Sequence, residues 1–263
     1  MTERKGLALI TGASYGIGAE LARSFAKRGH PLIIVARSHE RLELLAQSIS
    51  INCDQQVYIE VCDLCDPQAR ADMFVRLGKQ KLKPVYLVNN AGIGSNGPFH
   101  TLDSHRECDQ VRLNIEALVD LSRHFLPDMV ANDTGGILNI ASTAGFQPGP
   151  YMATYFATKA FVISFTEALA YEQRRSNVHL TAFCPGATES EFAHAAGNDT
   201  SRLFQQNVAT AEAVAEAAYG AFLNQKTVAV HGWLNALSAF GGSLSPRWLT
   251  NRIAAWLNQS SNV

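Results

Sequence analysis

What the chain lacks narrows its class first. Its 22 Lys and Arg stand against 23 Asp and Glu, for a formal net charge of -1, and the cations are scattered among the acids. Without a basic face there is nothing to draw phosphate backbones, and no nucleic-acid partner is expected. A long apolar run is missing behind the charged start Met1–Lys5: the stretch Leu7–Ile10 is far too short for a signal segment or a membrane span. A cytoplasmic location and no integral membrane segment are therefore expected. The cysteines number five (Cys53, Cys62, Cys65, Cys108, Cys184), odd and irregularly spaced, unlike a secreted disulfide framework. Reduced thiols are expected. Cys62-Asp63-Leu64-Cys65 forms a C-x-x-C, but no second ligand pair stands at a metal-binding spacing. A strand end and a loop are expected there rather than a metal or redox centre. Internal repeats, low-complexity tracts and separating linkers are absent as well, which leaves residues 1–263 as one domain.

What is present fits a large α/β unit. With 47% apolar and 17% charged residues the chain can bury a sizeable core. Short runs rich in Val, Ile and Leu alternate with segments of helical periodicity, the pattern of a parallel sheet covered on both faces. Strands are predicted at Leu7–Thr11, Leu32–Ala36, Val57–Val61, Val85–Asn89, Gly136–Ala141, Val178–Phe183 and Thr227–Val230. Helices are predicted near Ile17–Arg28, Glu40–Ser50, Pro67–Leu77, Arg106–Met129, Tyr151–Arg175 and Ala211–Leu223. Right-handed crossovers then give a doubly wound, Rossmann-type sheet of seven parallel strands, with ligands at the carboxyl ends of the strands. Two stretches fit this pattern poorly, residues 187–207 and the C-terminal extension 232–263. Substrate-specific structure is expected in both, with the first as a loop or lid.

The first strand runs into Thr11-Gly12-Ala13-Ser14-Tyr15-Gly16-Ile17-Gly18, which opens a helical pattern. Glycine allows close approaches that a Cβ would block, and a helix N-terminus offers N–H groups and partial positive charge to a pyrophosphate. A dinucleotide is the ligand this turn suggests, although a plain tight turn would also read this way, since the spacing departs from G-x-G-x-x-G. An acid that would hold the ribose 2′-hydroxyl of NAD is missing about 20 residues on. The second strand ends Val35-Ala36-Arg37-Ser38 instead, and a guanidinium suits a 2′-phosphate. NADP(H) is expected over NAD(H), against the alternative of a solvated loop Arg beside the helix-capping Ser38.

Ser142 closes the fifth strand, and Tyr155 and Lys159 lie four apart in the next helix, on one face. A free phenol titrates near pH 10, and a neighbouring cation lowers that value, so the pair can exchange a proton at one site. A Y-x-x-x-K spacing alone is common on helix surfaces; its weight here comes from the combination.

In that combination the chain resembles the short-chain dehydrogenase/reductase (SDR) family, in order over about the first 190 residues. Thr11–Gly18 reads as its T-G-x-x-x-G-x-G turn, and Asn89-Asn90-Ala91-Gly92 as its N-N-A-G element. Asn114, Ser142, Tyr155 and Lys159 match its catalytic tetrad, and Cys184-Pro185-Gly186 with Thr188 looks like its P-G motif beside the nicotinamide. The resemblance implies hydride transfer between NADP(H) and a carbonyl or secondary alcohol, with Tyr155 as general acid/base and Ser142 orienting the substrate oxygen. It implies that Lys159 binds the nicotinamide ribose and tunes Tyr155, that Asn114 holds a relay water, and that Asp63, beside Leu64, contacts the adenine. Asp63 also reads as a helix cap ahead of Pro67. Asn90, Ala91 and Gly92 would let the backbone pass close to the cofactor, or serve only to stabilise the sheet. Relatives pair through the helices that here hold Asn114 and Tyr155, so a homodimer or homotetramer is expected. The alternatives kept open are an NAD(H)-preferring enzyme of the same class and a non-catalytic dinucleotide-binding redox sensor.

By position after the strands, Gly94, Ser95, Phe146, Gln147, Tyr151 and Phe192 are the expected substrate contacts beside Ser142 and Tyr155. In the tail, Trp233, Leu234, Leu237, Phe240, Trp248, Leu249, Ile253, Trp256 and Leu257 make an apolar surface broken by Gly241-Gly242 and Pro246. It would cover the pocket, pack on a second subunit or touch a membrane, the last disfavoured by the lack of Lys and Arg enrichment.

Overall fold

In the computed structural model, which describes residues 5–189, 191 and 208–259, one sheet holds all seven expected strands. They are β1 (Ala8–Thr11), β2 (Leu32–Ala36), β3 (Val57–Val61), β4 (Tyr86–Asn89), β5 (Gly136–Ile140), β6 (His179–Cys184) and β7 (Val228–Val230). Every pairing is parallel, in the order β3-β2-β1-β4-β5-β6-β7. The helices are α1 (Gly16–Lys27), α2 (His39–Cys53), α3 (Pro67–Lys79), α4 (Ser104–Val111), α5 (Leu118–Ala131), α6 (Ala153–Glu172), α7 (Ala211–Leu223), α8 (Trp233–Leu244) and α9 (Arg247–Asn258).

Strand side chains alternate between the faces of the sheet, and the two cores follow that period. Ile10, Leu32 and Ile34 pack with Phe25 of α1, Leu42 of α2 and Tyr219 and Phe222 of α7. Leu9, Ile33 and Val35 face the other way, against Met73 of α3 and Leu121 and Phe125 of α5. Both faces of the central strands are thus dry, which explains why they read as unbroken apolar runs. The strand order reverses between β1 and β4, so the crevice of a doubly wound sheet opens at the carboxyl ends of those two strands.

Three departures from the sequence expectation matter for the site. The helix expected over Arg106–Met129 is interrupted: α4 and α5 are joined by a π-helical turn, Arg112–Ala117, that contains Asn114. Such bulges slip the hydrogen-bond ladder by one residue and re-aim side chains, an event that hydrophobic periodicity does not record. Second, α6 begins at Ala153, not Tyr151, because Tyr151 sits in a turn with φ +68°. Third, residues 233–258 form two helices, α8 and α9, and α8 runs straight through Gly241-Gly242 to stop at Ser245 before Pro246. Of the expected lid over 187–207, residues 190 and 192–207, Phe192 included, lie outside the described residues.

Candidate active site

A cavity of about 590 Å³ runs along the carboxyl ends of the strands, from the turn after β1 to the start of α6. At one end lie Gly12, Ser14, Tyr15, Gly16 and Ile17. Gly12 (φ +64°) and Gly16 (φ +57°) take backbone conformations that disfavour a side chain. Gly18 is held by space instead: a Cβ there would fall 2.2 Å from the Gly12 carbonyl oxygen. The helix start beyond this turn is open, since Tyr15 at the N-cap makes no side-chain cap bond and no acid stands in the first turn of α1. Unmet N–H groups facing a cavity are what a pyrophosphate requires.

The turn is braced from β4. The Thr11 hydroxyl donates to the Val88 carbonyl oxygen (3.2 Å) and accepts from the N–H groups of Asn90 (3.0 Å) and Ala91 (3.1 Å). The Asn90 amide donates to the carbonyl oxygens of Thr11 (3.0 Å) and Gly12 (3.2 Å). Asn90 therefore holds the phosphate turn in shape and also lines the cavity with Ala91 and Gly92, which joins the two roles that the sequence left open. Arg37, exposed at the end of β2, lines the rim, and none of the ion pairs among the described residues involves it. Arg41, one turn further on, is neutralised by Glu191 at 2.7 Å. Asp63 and Leu64 also line the rim. Asp63 does not cap α3; its carboxylate accepts from the Cys65 N–H (3.0 Å), while Asp66 caps Gln68 (2.9 Å).

At the other end Ser142, Tyr155 and Lys159 come together as expected. Ser142 follows β5 and caps a short 3-10 turn through the Ala144 N–H (3.1 Å). The Tyr155 phenol is hydrogen-bonded to the Ser142 side chain, and burial pushes it up to about 12 despite that bond. The Lys159 ammonium lies 5.7 Å from the centre of the Tyr155 ring and donates to the Ile140 carbonyl oxygen (2.8 Å); burial brings it down to about 8. The sequence argument had the lysine lowering the phenol, but at this separation desolvation of both groups wins. Asn114 donates to the Ile93 carbonyl oxygen (2.9 Å) and to Thr158 (3.0 Å), and accepts from the Ile93 N–H (3.0 Å). Gly92 lies between Asn114 and Lys159, where a Cβ would fall 3.3 Å from Asn114 Oδ1 and 3.6 Å from Lys159 Nζ.

Pro185, Gly186 and Thr188 follow β6 along the same wall. A Cβ on Gly186 would fall 2.5 Å from Asn235 Nδ2, so this glycine lets α8 approach. Of the expected substrate contacts, Gln147 lines the cavity with Ser142 and Tyr155. Phe146 instead packs into a core cluster, and neither it nor Tyr151 belongs to the cavity wall. Ser95 is buried with its hydroxyl on Glu107, and Gly94 gives its carbonyl oxygen to Arg106 (2.8 Å). Sequence reasoning missed the wall supplied by Met152, Phe156, Ser238, Ala239, Ala254 and Asn258, residues that no motif marks; Leu257, of the apolar tail surface, lines the cavity, in keeping with the first of the three roles weighed for that surface.

A phosphate-ready turn and a Ser–Tyr–Lys group with a buried lysine at opposite ends of one crevice define a Rossmann-type oxidoreductase. The sequence profile of the short chain dehydrogenases matches residues 6–201, and the chain belongs to that family. It is 33% identical over 184 residues (68% of this chain) to a very-long-chain 3-oxoacyl-CoA reductase of Anas platyrhynchos, and spans 58% of that relative's length. Among solved structures it is similar to a short-chain dehydrogenase from Sphingobium yanoikuyae in complex with NADPH: TM-score 0.81, 33% identity, 90% of this chain and 92% of that one. It also resembles the bulky-bulky ketone specific alcohol dehydrogenase from Comamonas testosteroni: TM-score 0.76, 30% identity, 90% and 92% coverage. Among the described residues no helix is long and apolar enough to cross a membrane.

Proposed function

We propose that this chain is an NADP(H)-dependent oxidoreductase that interconverts a carbonyl compound and a secondary alcohol, with Tyr155 as general acid and base. The observation that carries the reading is the half-buried Tyr155, its phenol bonded to Ser142 and flanked by the buried Lys159 in the cavity that the open start of α1 faces. Arg37 supports NADP(H) over NAD(H), as the unpaired cation where a 2′-phosphate would lie. The NADPH held by the Sphingobium relative points the same way. The five unpaired thiols suit a reducing, cytoplasmic compartment. A homodimer or homotetramer through the helices that hold Asn114 and Tyr155 is proposed on the family resemblance alone.

When bound, the nicotinamide supplies the hydride for reduction and accepts it in oxidation. In reduction Tyr155 gives its proton to the substrate oxygen while the Ser142 hydroxyl donates a hydrogen bond to the same atom. Burial suits this step, because it keeps the phenol protonated through the neutral range. The Lys159 ammonium stabilises the phenolate left behind and holds the ribose hydroxyls. Both amide donors of Asn114 are engaged, to Ile93 and Thr158, which fixes its side chain beside the tetrad; the relay water that the family resemblance implies for Asn114 is part of this proposal. The test is a parallel fluorescence titration with NADPH and NADH, followed by Tyr155→Phe. Tighter NADPH binding, with turnover lost and affinity nearly unchanged in the variant, is expected. Binding of neither nucleotide, or full turnover in Tyr155→Phe, overturns the reading.

A further inference from the structure

The far end of the cavity is walled by α9, and one amide holds that helix in place. Asn258, in its last turn, is buried. Its Nδ2 donates to the Pro150 carbonyl oxygen (3.0 Å), and its own carbonyl oxygen accepts from Asn96 Nδ2 (2.9 Å). Next to it Gln259 donates to the Tyr151 hydroxyl (3.4 Å), and the Gly97 N–H donates to the Tyr151 carbonyl oxygen (2.9 Å). Three segments distant in sequence, 96–97, 150–151 and 258–259, are thereby tied at one point. The middle one needs the support: Tyr151 is a non-glycine residue at φ +68°, and Met152, at the N-cap of α6, makes no side-chain cap bond. Beside this knot, and with Asn258 itself, Ala254 and Leu257 line the same cavity as Met152 and Phe156.

We propose that Asn258 is a latch that fixes α9 across the substrate end of the cavity, making it a specificity-determining, positioning residue that sets how long a carbonyl substrate the site accepts. This rests on the oxidoreductase reading above. The wall that the latch holds carries no ionisable side chain at Met152, Phe156, Ala254 or Leu257, so the part of the substrate it meets is uncharged and apolar. Unlatched, α9 swings away from the Pro150–Tyr151 turn and the length limit is relaxed.

The test compares acetophenone and 4-butylacetophenone as probes, with NADPH, in the full-length wild type, Asn258→Leu and the milder Asn258→Asp. Asp keeps the size of the side chain but cannot donate to Pro150. The ratio of kcat/KM for the short over the long ketone is expected to fall about tenfold in both variants, a change of the size that pocket shape commonly controls. A general loss of structure would lower both rates and leave the ratio alone; an unchanged ratio in the folded Asp variant overturns the latch. If the wild type reduces neither ketone, the loss falls on the reductase reading, and hydrogen exchange at the Gly97 amide decides for the latch. Several-fold faster exchange in Asn258→Asp upholds it, and wild-type protection overturns it.

Discussion

The Lys159 ammonium donates to the carbonyl oxygen of Ile140 at 2.8 Å, so the cation of the tetrad is anchored to the end of β5 and not to the phenol it serves. Its folded value of about 8 lies below the ordinary 10.5. Between these two values the unfolded chain binds more protons, and stability from this group rises as pH climbs from about 8 towards 10.5. Tyr155 acts in the opposite sense: raised from 10 to about 12, it loses stability as pH rises through that range. Lys159→Met is therefore expected to abolish turnover yet raise stability at pH 7 by up to about 3 kcal/mol. It should also flatten the rise between pH 8 and 10. Urea unfolding of both proteins at pH 7, 8, 9 and 10 checks the sign; a destabilised variant at pH 7 contradicts it.

Loss of the Lys159 charge also bears on rate. Reduction should slow as pH rises past about 8, where the ammonium beside the phenol deprotonates, while Tyr155 stays protonated. A pH profile of single-turnover reduction reads this directly, and a flat profile from pH 7 to 10 would separate Lys159 from the proton step.

Arg37 gives the cofactor prediction. Arg37→Asp should weaken NADPH by roughly 10- to 100-fold, the worth of one charge-assisted contact with its sign reversed, and leave NADH little changed. Equal affinities in variant and wild type for NADPH would remove Arg37 from the 2′-phosphate site.

Asn90 braces the phosphate turn through two carbonyl oxygens. Asn90→Ala leaves both without that donor and should cost about 1–3 kcal/mol of stability together with nucleotide affinity. Thermal melts with and without NADPH distinguish the two losses. A variant as stable as the wild type would make the brace incidental.

Glu107 carries a purely structural expectation. Its buried carboxylate accepts from the Ser95 and Thr154 hydroxyls and from Gln110 (2.8 Å), pinning the loop after β4 to the first turn of α6. Glu107→Ala should destabilise by about 3 kcal/mol, since two buried donors, Ser95 and Gln110, and the half-buried Thr154 lose one acceptor. Ser95→Ala should lower stability without changing the choice of substrate, and altered substrate preference in that variant would return Ser95 to the pocket.

These residues also mark where the sequence stopped being informative. β2 was legible to the residue, because a strand buried on both faces must be apolar throughout; β3 was legible as well, although as the edge strand it carries Glu60 and an exposed Val61. The Gly-rich turn, Ser142, Tyr155 and Lys159 were legible as candidates because their chemistry fixes residue type and spacing together, whereas Asn114 was marked only by the family resemblance. Glu107 and Asn258 were not legible, since each acts through partners on other elements, Ser95 and Thr154 for the one and Asn96 and Pro150 for the other, and neither spacing nor type announces such a contact. The helices of the tail were obscured by Gly241-Gly242, which a helix tolerates at about 1 kcal/mol each when packing compensates. The π turn at Asn114 was invisible for a different reason: a slip of one residue inside a single turn is smaller than the irregularity that any amphipathic pattern carries.

The Thr11 hydroxyl, bonded across to Val88, Asn90 and Ala91, has a consequence for motion. It stitches β1 to β4 at the one place where the two halves of the sheet could part, so the floor of the crevice behaves as a single slab. Any opening between the halves would have to break these bonds together with the β1–β4 ladder. Cover over the crevice comes from elsewhere, from the residues of α8 and α9 that line it on either side of Ser245-Pro246.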